Sequence, residues 1–450
     1  RRPAGRVPRA LPDLPQAVDC DHWDWPLPDG EDGLTCTGDA LIRFERIRQP
    51  VVLRGSARLL PAIDRVLAGW PHEVSRGGPI RLAPQAHRIT LAFDGGIYSL
   101  ESPWLRDPVR HRDPVNTVCD LVVQLVHGFV ATNPKGPCLH SAAVRLGGRL
   151  IVFPNVYRDG KSLFAAHLAS LGAEIFADDV MPIRGRANLG FALGLSPRLR
   201  LPLPDGTAPG FEAFVETHRG PSSLRYQYLD PGPDLLPPFG ATAPIGAFVL
   251  LDRREGTAAA LEPLSRPEAL CRVVERNFAR RAPARRILRR LERLVAATPC
   301  YRLVYGDAGH AACLIMARFA VWPEAQPPEA QPKGRAAIAA PKSIDPMVAP
   351  PRSRPHGPLR PSPEVFERRV EDALFLVNEE TDSIHHLNPM AETIWRLAAQ
   401  GHSQEDIIDL VAAAFPQLAK GRISRDVGQL VTSLVQRRLL LRRGREPRST

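Results

Sequence analysis

The apolar positions change their period along the chain, and each change marks a block. Up to about residue 115 they form short runs broken by turn residues: Pro50-Val51-Val52-Leu53-Arg54, Arg88-Ile89-Thr90-Leu91-Ala92-Phe93 and Gly96-Ile97-Tyr98-Ser99-Leu100. Asp94-Gly95-Gly96, between the last two runs, predicts a hairpin, because glycine supplies the positive φ of a tight turn at no steric cost. From Ala57 to Trp70 the spacing of Leu59, Leu60, Ile63, Val66 and Leu67 is helical. Residues 14–115 therefore read as a mostly β accessory region behind a loose tail, 1–13.

In the second block, 116–322, the periods alternate between helix and strand. Asn116 is expected to cap a helix that carries Leu121, Val122, Leu125, Val126 and Phe129 on one broad face. Two strands, 142–146 and 150–153, are joined by Gly147-Gly148, and a helix from Lys161 to Leu171 ends at Gly172. Next comes a strand over 174–180, a buried strand over 245–251, one or two Arg-rich helices within 267–297, and closing strands over 301–305 and 311–316. About a dozen prolines then fill 323–363, a composition that cannot bury a core and predicts an extended linker. The third block, 364–443, reads as two strands (373–378 and 383–387) and three helices, with Asn388, Ser403 and Ser424 as the expected caps. Residues 444–450 read as a second tail, and no internal repeat is visible.

Composition narrows the function classes. Among 450 residues, 44% are hydrophobic and 24% charged, ordinary values for a globular chain that can build a sizeable core. The net charge of +11 comes almost entirely from Arg spread along the chain, so no nucleic-acid partner is expected from charge alone. The seven Cys are scattered with no Cys-x-x-Cys pair, which argues against a disulfide framework or a zinc site and fits a reducing cytoplasm. No apolar run reaches about 18 residues, so no membrane span is expected. The N-terminus carries no apolar signal core.

The chemistry concentrates at two places. The first is the strand ending at Phe153, followed by Asn155-Val156-Tyr157-Arg158-Asp159-Gly160-Lys161-Ser162 and then a helix. A phosphate-binding loop has this order: backbone N–H groups at the helix start cradle phosphate, the Lys reaches the β- and γ-phosphates, and the Ser hydroxyl serves Mg²⁺. Asn155 replaces the first Gly of the full pattern, and Asn is the side chain that best tolerates a left-handed turn. Tyr157 and Arg158 are bulky for such a loop. Asp178-Asp179, at the end of the next strand, supplies carboxylates for a metal and for accepting a hydroxyl proton. His140 precedes the first strand of the 142–153 hairpin. A Gly-Lys-Ser at an ordinary helix start and a solvated Asp-Asp turn are the alternatives.

These residues carry a resemblance. Leu139-His140-Ser141-Ala142-Ala143-Val144, Gly147-Gly148-Arg149, the loop, and Gly172-Ala173-Glu174-Ile175-Phe176-Ala177-Asp178-Asp179-Val180 together resemble the catalytic domain of HPr kinase/phosphorylase. The likeness covers roughly 116–320 and is strong over 138–183. It implies an α/β P-loop kinase-like fold that uses ATP and Mg²⁺. By the same likeness Asn155, Arg158, Asp159, Gly160, Lys161 and Ser162 would bind nucleotide, Ser162 and Asp179 the metal, and Asp178 would act as base supported by His140, with Lys161 on the phosphates. The longer substrate-contact motif of that family is not recognisable, which makes HPr an unlikely substrate. Arg198, Arg200 and Arg225 are further phosphate candidates.

The second place is the third block. Phe375-Leu376-Val377-Asn378, Ile384-His385-His386-Leu387-Asn388-Pro389-Met390-Ala391-Glu392-Thr393-Ile394-Trp395-Arg396-Leu397 and Asp426-Val427 resemble the PqqD family, whose members recognise precursor peptides. The resemblance implies a small α+β winged-helix-like unit. In it a leader segment adds as a strand to the edge Ser383, Ile384, His385, His386 and Leu387, facing Arg425, Gln429 and Arg437 of the last helix. DNA binding, the other use of such a fold, is disfavoured by Asp426 and by the scarcity of polar base-reading side chains. The two resemblances together imply a cytoplasmic serine kinase that binds a ribosomally made precursor peptide and phosphorylates a Ser or Thr hydroxyl. A linker of about 40 residues would hold the peptide at an effective concentration on the order of mM. The alternative is a degenerate kinase fold that serves as adaptor for a peptide-modifying enzyme. Oligomeric state stays open, since HPr-kinase relatives can form rings.

Overall fold

The computed structural model describes residues 38–442 apart from 77–86, 133–135, 156–159, 186, 280–281 and 323–356. It divides into two compact units, one of residues 1–264, 275–281 and 298–322, the other of 265–274, 282–297 and 323–450.

The larger unit opens with strands β1 (Ala40–Phe44), β2 (Val51–Arg54), β3 (His72–Arg76), β4 (Ile89–Asp94), β5 (Ile97–Glu101) and β6 (Val109–His111), in sheet order β3-β1-β2-β4-β5-β6. The Asp94–Ile97 pairing closes the expected hairpin through Gly95 and Gly96, both at positive φ. Helix α1 (Leu60–Val66) and the long helix α2 (Pro114–Thr132) cover this sheet, with Trp70, Leu100, Leu121, Leu125 and Phe129 in one core. Asp113, not Asn116, caps α2: its Oδ1 accepts the N–H groups of Val115 and Asn116 at 2.7 and 3.0 Å, and Pro114 fits the first turn, where no N–H is needed. Among the described residues α2 alone is long and apolar enough to cross a membrane, contrary to the expectation of no such run. Its Val118, Leu121, Leu125 and Phe129 are instead buried in this core.

The chain then builds a second, nine-stranded sheet. Its strands are β7 (Cys138–Leu139), β8 (Ala142–Leu146), β9 (Arg149–Phe153), β10 (Glu174–Ala177), β11 (Met181–Arg184) and β12 (Leu189–Phe191), with α3 (Lys161–Ser170) between β9 and β10. A small sheet of β13 (Arg198–Arg200), β14 (Arg219–Ser222) and β15 (Tyr226–Leu229) carries α4 (Pro209–Thr217). The long strand β16 (Thr242–Arg253) returns to the main sheet, followed by β17 (Ala260–Pro263), α5 (Arg266–Arg276), α6 (Ala284–Ala296), β18 (Cys300–Tyr305) and α7 (Ala308–Phe319). Strand β16 runs parallel to both β9 and β18, so the centre of the sheet is parallel and the β8–β9 hairpin flanks it. Segment 311–316, expected as a closing strand, lies within α7. Asp307 caps that helix by accepting the His310 N–H at 2.7 Å, and Ala311, Ala312, Ile315 and Phe319 bury one face.

The smaller unit contains α6 and the strands β19 (Leu359–Pro361), β20 (Val365–Val370), β21 (Ala373–Asn378) and β22 (Ser383–Leu387). Helices α8 (Pro389–Ala399), α9 (Gln404–Ala414) and α10 (Lys420–Gln436) follow, then β23 (Leu440–Arg442). The sheet has three strands, β20-β21-β22, where two were expected, and β19 pairs with β23. Asn388 caps α8 and Ser403 forms a capping box with Asp406 on α9, as the pattern predicts. Helix α10 starts earlier than predicted: Ala419 precedes its first turn with no side-chain cap, and Ser424 lies inside it. Leu374, Leu376, Leu387, Trp395, Val427 and Val431 form the core on one face of this sheet.

Candidate functional site

In the larger unit the site is built where three chain turns meet. Gly160 stands at the head of α3 with φ 74°, a left-handed backbone that glycine adopts without strain, and Lys161 and Ser162 open the helix. Lys161 is buried. Arg158 and Asp159, expected as nucleotide ligands, and Tyr157 lie outside the described residues. Asn155 is buried, and its carboxamide clamps the next strand: Nδ2 donates to the Leu251 carbonyl at 2.7 Å and Oδ1 accepts the Leu251 N–H at 2.9 Å. These two bonds tie the exit of β9 to β16.

The strand expected to run through residue 180 stops at Ala177, and Asp178-Asp179 form the bend between β10 and β11. The bend sends the two carboxylates to different surroundings. Asp178 is buried, and its Oδ2 accepts the Arg198 N–H at 3.0 Å. Its Oδ1 is shielded from solvent and takes no hydrogen bond among the described residues. Burial, reinforced by the neighbouring Asp179 charge, pushes the Asp178 pKa up to about 7, against smaller opposing contributions from the Arg198 N–H, the Ser162 hydroxyl and the Arg198 guanidinium. Asp179 is half-exposed. Its Oδ1 lies 3.7 Å from His140 Nε2 and its Oδ2 3.5 Å from Arg198 Nη2. Burial holds His140 below the ordinary imidazole range, against the pull of Asp179. His140 therefore partners Asp179, not Asp178 as expected, and Ser162 is associated with Asp178 rather than Asp179.

Arg198 is the hub of this bend, contacting one Asp through its backbone and the other through its side chain. Its guanidinium lies 4.7 Å from the Tyr226 ring centroid, and those of Arg225 and Arg200 lie 5.6 and 5.8 Å away, so the three suggested arginines do gather around one ring. Behind them the Tyr228 hydroxyl donates to Cys119 Sγ at 3.2 Å, a buried pair that sequence reasoning missed because β15 and α2 are far apart in the chain. The oxygens gathered at this bend are those of Asp178, Asp179 and the Ser162 hydroxyl, with the Arg198 N–H and guanidinium beside them. No group of three or more His, Cys, Asp or Glu fit for a metal occurs among the described residues.

In the smaller unit β22 pairs only with β21 among the described strands, which leaves its other edge open. The register alternates its side chains. Ser383, His385 and Leu387 share a face with Leu376 and Leu374, whereas Ile384 and His386 share the opposite face with Val377 and Phe375. His385 Nε2 meets the Ser383 hydroxyl at 2.9 Å and its Nδ1 meets Arg437 Nη1 at 3.0 Å. Burial and the Arg437 charge lower the His385 pKa to about 4, so the ring is neutral at neutral pH and can accept from Arg437. His386 lies against Phe375 with ring centroids 5.2 Å apart. Arg425 and Gln429 are exposed on α10.

Residues 373–440 match the PqqD family, described as coenzyme PQQ synthesis protein D. The PqqD-like segment thus spans β21, β22 and all three helices of the smaller unit that follow them. Solved structures similar to the chain include three that follow. TbiB1 in complex with the TbiA(beta) leader peptide is 23% identical, covering 18% of this chain and 93% of that one, with a TM-score of 0.17. Lasso peptide synthetase B1 complexed with the leader peptide is 24% identical over 18% and 96%, with a TM-score of 0.18. The Hpr(Ser) kinase/phosphatase from Coxiella burnetii is 11% identical over 40% and 94%, with a TM-score of 0.22. No curated protein matches the chain.

Proposed function

We propose that the chain is a kinase-like protein that captures a ribosomally made precursor peptide with its PqqD-like segment and phosphorylates a Ser or Thr hydroxyl of that peptide, using ATP and Mg²⁺. The observation that carries this reading is the split environment of the two adjacent carboxylates at the head of α3. Phosphoryl transfer asks for one carboxylate at the metal and another at the attacking hydroxyl. Asp178, buried beside Ser162 with an unsatisfied oxygen, suits the metal, and Asp179, half-exposed beside His140, suits the base. This exchanges the roles first expected for the two residues.

In this scheme the peptide hydroxyl oxygen forms a bond to the γ-phosphorus, the bond to the bridging oxygen breaks, ADP departs, and the hydroxyl proton passes to Asp179. Lys161 neutralises phosphate charge. Mg²⁺, held by Ser162 and Asp178, would offset the negative charge that develops on the β/γ oxygens. On the peptide side, the open β22 edge supplies unpaired backbone groups for strand addition, and a leader segment would lie between that edge and Arg425, Gln429 and Arg437.

Mass spectrometry of a candidate precursor peptide incubated with ATP and Mg²⁺ tests the reading. The expected result is the gain of one phosphate, lost in Lys161→Ala and Asp179→Asn. The engagement of Asn155 by Leu251 favours a second reading, an adaptor for a partner enzyme that modifies the peptide. Tight peptide binding with no phosphate gain and no heat on titration with ATP and Mg²⁺ would establish the adaptor instead.

A further inference from the structure

The first sheet and its two helices have no part in the scheme above, yet they touch the segment that feeds the carboxylate bend. Helix α1 ends at Val66, and the last carbonyls of a helix have no partner within it. Ser196 reaches the final two: its N–H donates to the Val66 carbonyl at 2.9 Å and its hydroxyl to the Arg65 carbonyl at 3.0 Å. Ser196 is buried. Just beyond α1 the backbones of Gly69 and Gly194 cross. The Gly69 N–H donates to the Gly194 carbonyl at 3.2 Å, and a Cβ added at Gly69 would lie 2.6 Å from the Gly194 Cα. Two residues without side chains can pass that closely, and a larger one at either position would force the backbones apart.

Arg198 stands two residues beyond Ser196. Its N–H sits 3.0 Å from Asp178 Oδ2, and its Nη2 lies 3.5 Å from Asp179 Oδ2. The β13–β15 register sets Arg198 opposite Tyr228, so the two side chains share one face of the small sheet. Tyr228 and Cys119 of α2 are buried in the core of the first sheet with Leu121 and Leu125. Cys119 accepts the Tyr228 hydroxyl at 3.2 Å and also hydrogen-bonds the Arg198 guanidinium. The amino-terminal block therefore meets Arg198 twice: the end of α1 holds the backbone that enters it, and α2 braces its guanidinium. Each of the two contacts leads to a different carboxylate of the bend.

We propose that the amino-terminal sheet with α1 and α2 is a positioning element of the carboxylate bend: Gly69 and Ser196 at the end of α1, and Cys119 of α2, hold Arg198 where its N–H and guanidinium orient Asp178 and Asp179. The proposal rests on the phosphoryl-transfer reading for what the two carboxylates do, and adds what holds them. Hydrogen exchange of the full chain, read by mass spectrometry, tests it beside phosphate transfer to the peptide. Alanine at position 69 must part the two backbones by roughly 1 Å, a misplacement that can cost on the order of a hundredfold in rate. Gly69→Ala should therefore lower kcat about 10- to 100-fold with the peptide KM unchanged, because the peptide is captured on the smaller unit. Ser196→Ala and Cys119→Ala are milder and should lower kcat several-fold, and Ser196→Thr and Cys119→Ser should restore it. In the alanine variants exchange should quicken at 178–179 and 198–200 and stay unchanged in the central strands β9, β16 and β18. Unchanged exchange at the bend would overturn the proposal and leave Arg198 held by its pairing with β15. Exchange quickened through the central strands as well would reduce these contacts to packing, and a wild-type kcat despite local quickening would do the same. Absence of transfer by the wild type would overturn the phosphorylation reading alone, and the local exchange would then decide this inference by itself.

Discussion

Replacing Asp178 by Asn should stabilise the larger unit while abolishing phosphoryl transfer, and the gain should depend on pH. The Asp178 carboxyl is held at a pKa of about 7, against an ordinary value of 3.8, chiefly by burial and secondly by the Asp179 charge. A carboxyl whose pKa is raised by folding contributes stability that is complete below the unfolded value and is lost as pH climbs through the folded value. The window therefore runs from about pH 4 to about pH 7. At roughly 1.4 kcal/mol per pH unit over about three units, the native state gives up about 4 kcal/mol across it. Asn is neutral at every pH and nearly the same shape, so Asp178→Asn should match the wild type near pH 4 and exceed it by about 4 kcal/mol at pH 8. Urea denaturation followed by circular dichroism, in chelator at pH 5 and pH 8, measures the difference. Adding Mg²⁺ at pH 8 should narrow it, because a cation on the ionised carboxylate favours the wild type alone. A stability difference that is the same within about 1 kcal/mol at both pH values, or a variant less stable at pH 8, would refute the assignment of Asp178 as the buried, strained acid.

Asn155→Ala should cost about 2–3 kcal/mol in chemical denaturation, because it strands the Leu251 N–H and carbonyl in the interior. A fragment of residues 357–442 lacks α6 and uncovers Phe375 and Val377, a loss of roughly 3–6 kcal/mol; it should melt far below the intact unit and recover on addition of a synthetic 282–299 peptide, as read by circular dichroism. Ser403→Ala should lower stability by about 1 kcal/mol through loss of the α9 capping box, a change that thermal melts of the full chain can read.

Local signals carry much of this fold. The glycine pairs at 95–96 and 147–148, the stop at Gly172 and the caps Asn388 and Ser403 each solve a backbone problem within four residues, so sequence displays them directly. Where two local signals compete, the more conspicuous one misleads. The apolar run 311–316 fits a strand by hydropathy, and Asp307, four residues upstream, is what makes it a helix. Asp113-Pro114 likewise outweighs Asn116 at the start of α2.

The site's residues are legible as a set, whereas their partners are not. Adjacent side chains at a strand end diverge, and nothing local says which of Asp178 and Asp179 turns inward. That choice is made by β13, about twenty residues on, whose Arg198 N–H takes Asp178 and whose guanidinium takes Asp179. The same holds for the edge strand. Its residues stand out in the PqqD-like pattern, yet the helix packed on it, α6, lies about ninety residues upstream and is separated from it by β18, α7 and the proline-rich segment. The apolar stripe of α6 (Ile287, Leu288, Leu291, Leu294 and Val295) announces that the helix must bury a face, but not against which sheet. Phe375 and Val377 give the matching half of that information. A β21 strand apolar on both faces cannot end at solvent on either side, so its run of apolar residues alone calls for a second cover, which α6 provides.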